Sequence, residues 1–236
     1  LIGDSCIDEY HYGTVDRISP EAPVPVFVPK KIVSKNGMAA NVLENLKALG
    51  VEVIPYFGEN SVKVRMIDER SNQHLMRIDK DIISKELPLN TYFPSDIDGI
   101  IISDYNKGFV SYDLIEALIS TGVPVFVDTK KRDLRAFSGA FVKINQNEFA
   151  DAKSLPNENL IVTLGKNGAM YDGVLYEAPN VNISDVCGAG DTFLAAFAYQ
   201  YLQTKNEDKA MSFAVKASSV TVQYVGVYAP TLEEIL

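Results

Sequence analysis

A mostly parallel α/β sheet lying between helices, with a smaller β-sheet set apart from it, is the fold this sequence predicts. Three observations predict it. From Ile97 onward, short apolar runs alternate with amphipathic stretches, the order expected of parallel strands joined by helical crossovers. Between Tyr10 and Lys31, and again over Val62–Met66 and His74–Ile78, β-type segments follow one another with no helix between them. Finally, Asp185-Val186-Cys187-Gly188-Ala189-Gly190-Asp191-Thr192 forms a tight glycine turn that opens at once into the apolar run from Phe193 to Tyr201.

Taken in order, Leu1 to Gly3 reads as the end of a buried strand, with Asp4, Ser5 and Asp8 following where the chain leaves it. Ligands gather at the C-terminal ends of strands in open α/β sheets, so Asp8 is a candidate for sugar or polyol hydroxyls. Pro20, Pro23, Pro25 and Pro29 exclude a central strand from Tyr10 to Lys31 and predict an irregular edge segment. Asn36 to Asn41 is expected to open a helix whose Val42, Leu46 and Leu49 share one face, stopped by Gly50. Val51 to Phe57 is the next expected strand. Strands are then predicted over Gly99–Ser103, Val123–Val127, Phe141–Ile144 and Leu160–Leu164, with a helix capped by Ser111 and ended by Gly122. Polar residues recur where these strands end, at Asp104, Asp128, Asn145, Glu148 and Thr163, which marks the lip of a site. A last helix is expected to start at Asn206, to bury Ala210, Phe213, Ala214, Ala217, Val220 and Thr221, and to end by Gly226.

A chain of 236 residues, 47% hydrophobic, has the means to bury a large core. Its formal net charge of −9 leaves no basic face for nucleic acid or an anionic membrane, so neither is an expected partner. With no apolar stretch of membrane-spanning length and no signal-type opening, a cytoplasmic location is expected. Leu1 is not expected to be the native start. Cys6 and Cys187 are read as free thiols, and His11 and His74 as surface or packing residues.

The glycine turn carries the chemistry. A helix N-terminus offers unpartnered backbone amides and a favourable dipole to an anion, and Gly188 and Gly190 let a ligand approach the backbone. Asp191 is out of place in a simple anion receptor but apt for a site that holds phosphate and takes a proton from a hydroxyl. The same residues also fit an ordinary capped helix, with Asp191 or Thr192 satisfying first-turn amides. The dinucleotide fingerprint is excluded by Phe193, and no Walker A string occurs.

Asp185 to Thr192 resembles the C-terminal signature of the ribokinase-like, or PfkB, carbohydrate kinases. Asn36 to Asn41 is similar to their N-terminal glycine signature, and Asn145-Gln146-Asn147-Glu148 to their N-x-x-E motif. Within that family, Arg17 to Val26, Ser71 to Asp79 and Ser103 to Gly108 resemble the bacterial heptose 7-phosphate kinases. The resemblance implies a ribokinase-like fold, with an α/β kinase core over residues 1–8, 35–60 and 84–236 and a small β lid over 9–34 and 61–83. It implies ATP and Mg2+ as cofactors and a sugar or sugar phosphate as acceptor, with a homodimer through the lid. Asp191 is then the general base, and Gly188, Ala189 and Gly190 form the anion hole. Glu148, with Asn145, organises the metal. Thr163, Gly165 and Gly168 border the nucleotide, and Asp8, Gly37 and Asn41 the sugar. Arg65, Lys107 and Lys130 are candidates for substrate phosphate or the charge of ATP. A PfkB kinase for another sugar or a nucleoside, and a catalytically silent binding protein, are the alternatives. The sequence departs from the family pattern at Met38, where a second glycine is usual, and at Cys187, where Thr is common. Two helices of the fold have no counterpart, between Asn60 and Ser61 and near Ser154–Asn159. Segments are expected to be missing there, because joining the strands directly exposes a sheet face.

Overall fold

The computed structural model describes residues 1–236. In chain order the elements are β1 (Ile2–Gly3), β2 (Ser5–Ile18), β3 (Pro25–Met38), α1 (Ala39–Ala48), β4 (Tyr56–Phe57), β5 (Ser61–Asp68) and β6 (His74–Lys80). They continue as β7 (Ile100–Asp104), α2 (Tyr112–Ile119), β8 (Val125–Thr129), β9 (Phe141–Asn145), α3 (Gln146–Asp151) and β10 (Leu160–Thr163). The chain closes with β11 (Ala169–Tyr171), β12 (Val174–Tyr176), α4 (Ala189–Thr204), α5 (Glu207–Thr221) and α6 (Leu232–Ile235).

Eight strands form the main sheet in the order β12-β11-β10-β9-β8-β7-β1-β4. From β4 across to β10 every pair is parallel, and β11 and β12 add an antiparallel edge. Because side chains alternate across a strand, each apolar strand feeds two cores. Ile101, Phe126, Phe141 and Ile161 pack against α1, α4 and α5 on one face. Ile102, Val127, Val142 and Ile144 pack against Leu114, Ile115 and Leu118 of α2 on the other. The mostly parallel sheet between helices is therefore the fold that the strand and helix alternation predicted.

The second sheet has the order β3-β2-β5-β6. It takes in residues that the sequence assigned elsewhere. Asp4 passes the chain from β1 straight into β2, so Ser5 and Asp8 lie within a strand and not in a loop. Tyr10 lies in β2, an inner strand, because the prolines fall in the turn and along edge strand β3, where a missing N–H is tolerated. Asn36 and Gly37 pair with Ile7 and Cys6 instead of opening a helix, and α1 begins only at Ala39. Only Tyr56 and Phe57 of the segment from Val51 to Phe57 pair as a strand, beside β1. At the other end, α5 stops at Thr221, ahead of Gly226. Asn60 runs directly into β5 with no helix between, and none lies over Ser154–Asn159.

Candidate active site

The C-terminal ends of the parallel strands lie along one edge, beneath the N-terminus of α4. Gly188 is the N-cap, with φ of +79° and no side-chain cap. Ala189 N–H donates to Val186 O at 3.3 Å, and the first intrahelical bond is Thr192 N–H to Gly188 O at 2.9 Å. The Gly190 and Asp191 amides are thus the first-turn donors left for an anion. Both glycines are required by what lies close to them. A β-carbon on Gly188 would lie 2.8 Å from Asn41 Nδ2, and one on Gly190 would lie 2.8 Å from Lys143 Nζ.

Asp191 does not cap its own helix. Its Oδ2 accepts from Asn41 Nδ2 of α1 at 2.8 Å, and its Oδ1 accepts from the Tyr105 hydroxyl at 3.1 Å. The carboxylate is only 5% exposed. Burial raises its pKa to about 6; the charge of Asp128 adds to the rise, while Asn41, Lys143 and Tyr105 oppose it. The group is therefore ionised above pH 6 yet retains an affinity for a proton that an exposed aspartate lacks, which is the requirement for a general base.

Below this helix end, Asp128 and Lys143 occupy neighbouring positions on β8 and β9, and Lys143 Nζ donates to Asp128 Oδ2 at 2.7 Å. The two are almost wholly buried, and Asp128 Oδ1 has no partner. Lys130, just past β8, is ion-paired with Glu148 Oε1. Burial pulls its pKa down, but Asp128 and Glu148 outweigh this and hold it charged. Asn145 and Glu148 form a capping box on α3: Asn145 Oδ1 accepts from Glu148 N–H at 2.9 Å, and Glu148 Oε2 accepts from Asn145 N–H at 2.8 Å. Thr163, Gly165 and Gly168 line a cavity of about 360 Å3 together with Ala189 and Gly190, so these residues and the helix end face one space.

The polar face of the second sheet points at the same place. Asp8, buried, accepts from Arg65 Nη1 at 2.5 Å. Gly37 lies opposite Cys6 on β3. Lys35, Asp8, Lys63 and Asp79 fill one register row across all four strands. Lys35 Nζ donates to Val227 O at 3.0 Å, and Lys63 Nζ stands 5.5 Å from the centre of the Tyr105 ring. Lys107 pairs instead with Asp81 at 2.5 Å. Cys6 and Cys187 are unbonded thiols. His11 contacts Glu9 at 2.9 Å, away from this face.

Sequence reasoning marked Asp128 as a strand-end polar residue but missed its partner Lys143, and it assigned no role to Tyr105 or Lys63. Lys143 had a signal, a lysine in the middle of an otherwise apolar strand. The other contacts depend on which strands become neighbours, which the string does not reveal.

Residues 36–235 match the family described as pfkB family carbohydrate kinase. Among curated relatives, the bifunctional protein HldE of a Nitratiruptor species is 33% identical over 293 positions covering 100% of this chain and 63% of the relative. The same-named protein of Helicobacter acinonychis is 30% identical, with 65% of its length covered. The chain thus spans less than two thirds of these relatives. Among solved structures, Arabidopsis thaliana ribokinase complexed with ribose and ATP has a TM-score of 0.71 at 16% identity, covering 99% of this chain and 96% of that one. Escherichia coli phosphofructokinase-2 in complex with potassium also has a TM-score of 0.71 at 16% identity, covering 100% and 96%. At such identities the likeness establishes a ribokinase-like fold, and the sequence match across the signature regions establishes the lineage: the chain belongs to the pfkB family of carbohydrate kinases.

Proposed function

We propose that this chain transfers the γ-phosphoryl group of ATP to the anomeric hydroxyl of a heptose 7-phosphate or a closely similar sugar phosphate. The observation that carries the reading is the Asp191 carboxylate, buried beside unpartnered amides and held by Asn41 and Tyr105 rather than by its own helix. In this reaction Asp191 takes the proton of the acceptor hydroxyl as its oxygen bonds to the γ-phosphorus and the bond to the bridging oxygen of ADP breaks. The Gly188–Gly190 turn, through the Gly190 and Asp191 amides, stabilises the charge on the transferring group, the step on which phosphoryl transfer chiefly depends. Thr163, Gly165 and Gly168 border the nucleotide in their cavity. Asp8, Gly37 and Asn41 face the sugar, and Lys35 and Lys63, which pair with no carboxylate, supply charge for its phosphate, whereas Arg65 is committed to Asp8. Lys107, already paired with Asp81, contributes less.

No three His, Cys, Asp or Glu side chains converge to cage a metal. A single carboxylate with water and phosphate oxygens is nonetheless a donor set that Mg2+ accepts, and Glu148, seated with Asn145 at the strand ends, fits it. Mg2+ there would neutralise phosphate charge, a task Lys130 shares.

The second sheet, chiefly residues 9–34 and 61–83, is proposed to act as a lid on the core. A second copy of the chain is proposed to cover its outer face.

The deciding experiment offers ATP with a panel of free and phosphorylated sugars and identifies products by 31P NMR. Turnover confined to a heptose phosphate supports the reading. Phosphorylation of an unphosphorylated sugar or nucleoside instead moves the assignment within the family, and tight binding of one sugar without ATP consumption makes the chain a binding protein.

A further inference from the structure

We propose that Tyr105 is a positioning residue for phosphoryl transfer: its hydroxyl, acting with Asn41, fixes the Asp191 carboxylate in a single orientation toward the acceptor. The inference rests on Asp191 serving as the base. Tyr105 follows β7, and its position is imposed by the backbone. Asp4, buried between β1 and β2, accepts from the amides of both Tyr105 and Lys107 through one oxygen, at 2.8 and 3.0 Å. Asp104 Oδ1 accepts from Asn106 N–H at 2.9 Å, and Asn106 takes the left-handed conformation with φ of +57°. The loop is therefore pinned at three successive residues, and its tyrosine side chain is delivered to Asp191.

The two donors divide the carboxylate between them. Asn41 engages Oδ2 and Tyr105 engages Oδ1, so rotation about the carboxylate axis would break both bonds. Each oxygen retains one lone pair, and the acceptor hydroxyl competes for these rather than for a freely turning group. The phenol is suited to remain a donor. Burial, followed by the charges of Asp191 and Asp128, holds its pKa well above the usual value, so it stays protonated throughout the working range. Two ammonium groups stand by the ring, Lys63 at 5.5 Å and Lys130 at 5.3 Å from its centre. Both stand within the range at which an ammonium is attracted to an aromatic ring. Lys63 comes from the second sheet and Lys130 from the main one, so the ring lies where the two sheets meet at the site.

The other groups around Asp191 are Asp128 and Lys130 from β8 and its end, Lys143 from β9, and Cys6 from β2. None of them is altered by removing one hydroxyl, which makes Tyr105→Phe the test. The variant keeps the ring, its packing and both ammonium contacts, and a melting curve matched to the parent checks that the fold is kept.

Two readouts are taken. The Asp191 carboxyl is titrated by 13C NMR in the full chain, and kcat and kcat/KM are followed against pH with ATP and the sugar phosphate that the parent turns over. Loss of a hydrogen bond to the ionised form should move the titration midpoint and the acid limb of the rate profile upward together, by roughly half to one pH unit. On the plateau kcat should fall roughly 10- to 100-fold, with the KM for ATP unchanged. Coincident titrations and profiles overturn the proposal. A midpoint that moves in a protein that phosphorylates no sugar shows that the kinase reading has failed, and the positioning role falls with it. A parent that turns over while the Tyr105→Phe profile stays in place removes Tyr105 and leaves the kinase reading intact.

Discussion

Asp191 answers two opposed demands, since the burial that gives it proton affinity also makes its charged form costly to fold. Its pKa rises from 3.8 to about 6 in the folded chain. A group shifted upward stabilises the fold fully below its unfolded value and loses that contribution as pH rises through its folded value. The ionised form at pH 8 therefore weakens the fold by on the order of 2–3 kcal/mol relative to the protonated form. Asp191→Asn removes the charge while its amide can still bond Asn41 and turn toward the Tyr105 oxygen. The variant should melt above the parent at pH 8, and the difference should shrink as pH falls through 6 toward 4; a gap that ignores pH would contradict the assignment. Turnover should drop by about 10²- to 10⁴-fold while nucleotide binding persists. In the parent, kcat/KM should rise through a limb near pH 6. At this scale the sequence was legible where the signal is one local string: Gly188, Gly190 and Asp191 declare a helix end, and family resemblance named Asn41, whose side chain bonds Asp191. Tyr105 was not legible, because nothing near it in the chain announces Asp191, which lies 86 residues away.

Elements were readable where their ends carry their own chemistry. Ser111 accepts from Leu114 N–H at 3.3 Å to start α2, and Asn206 accepts from Lys209 N–H at 2.8 Å to start α5. Asn36 to Met38 misled because strand pairing with β2 overrides local helix signals, and Met38 absorbs the change of direction at φ of +56°. The ion pair between β8 and β9 belongs to this scale too, for parallel register alone sets Lys143 against Asp128 under α4. Lys143→Met leaves Asp128 buried and unpaired, which should cost about 3–5 kcal/mol in urea unfolding. Adding Asp128→Leu should return much of that loss, because the double variant buries no lone charge. A loss in the double variant equal to the sum of the losses from Lys143→Met alone and Asp128→Leu alone would show that the pair holds no coupled energy. Gly190→Ala presses a methyl group toward Lys143 Nζ, which the Asp128 contact keeps from retreating. If the amides beside it form the proposed anion hole, it should lower kcat by at least about 10-fold while the melting temperature changes little.

For the whole molecule, the sequence foresaw one parallel sheet with a separate small one, because periodicity changes from strand–helix alternation to consecutive strands without helices. The first curated relative aligns over 293 positions against the 236 residues of this chain, and an apolar groove of about 590 Å3 opens beside Val53, Tyr56, Phe93 and Ile97. The second sheet presents a different apolar surface. Ile32, His11, Met66 and Met76 share one register row, opposite in pleat to the row of Asp8 and Lys63 that faces the candidate site. Ile32 is 57% and Met76 55% exposed, with Val28 and Leu75 also open nearby. A twisted sheet with one face committed to the site and an apolar row on the other gains most by covering that row. The proposed second copy, related by a two-fold axis, would place each residue of the row against the same surface of its mate. Light scattering after size exclusion should then give twice the chain mass for the parent and the chain mass for Ile32→Lys/Met76→Lys. Both side chains are solvent-exposed within one copy, so the double variant should keep its fold and its far-UV circular dichroism. A parent that remains monomeric at every concentration, or a double variant that remains dimeric, places the outer face of this sheet outside any interface.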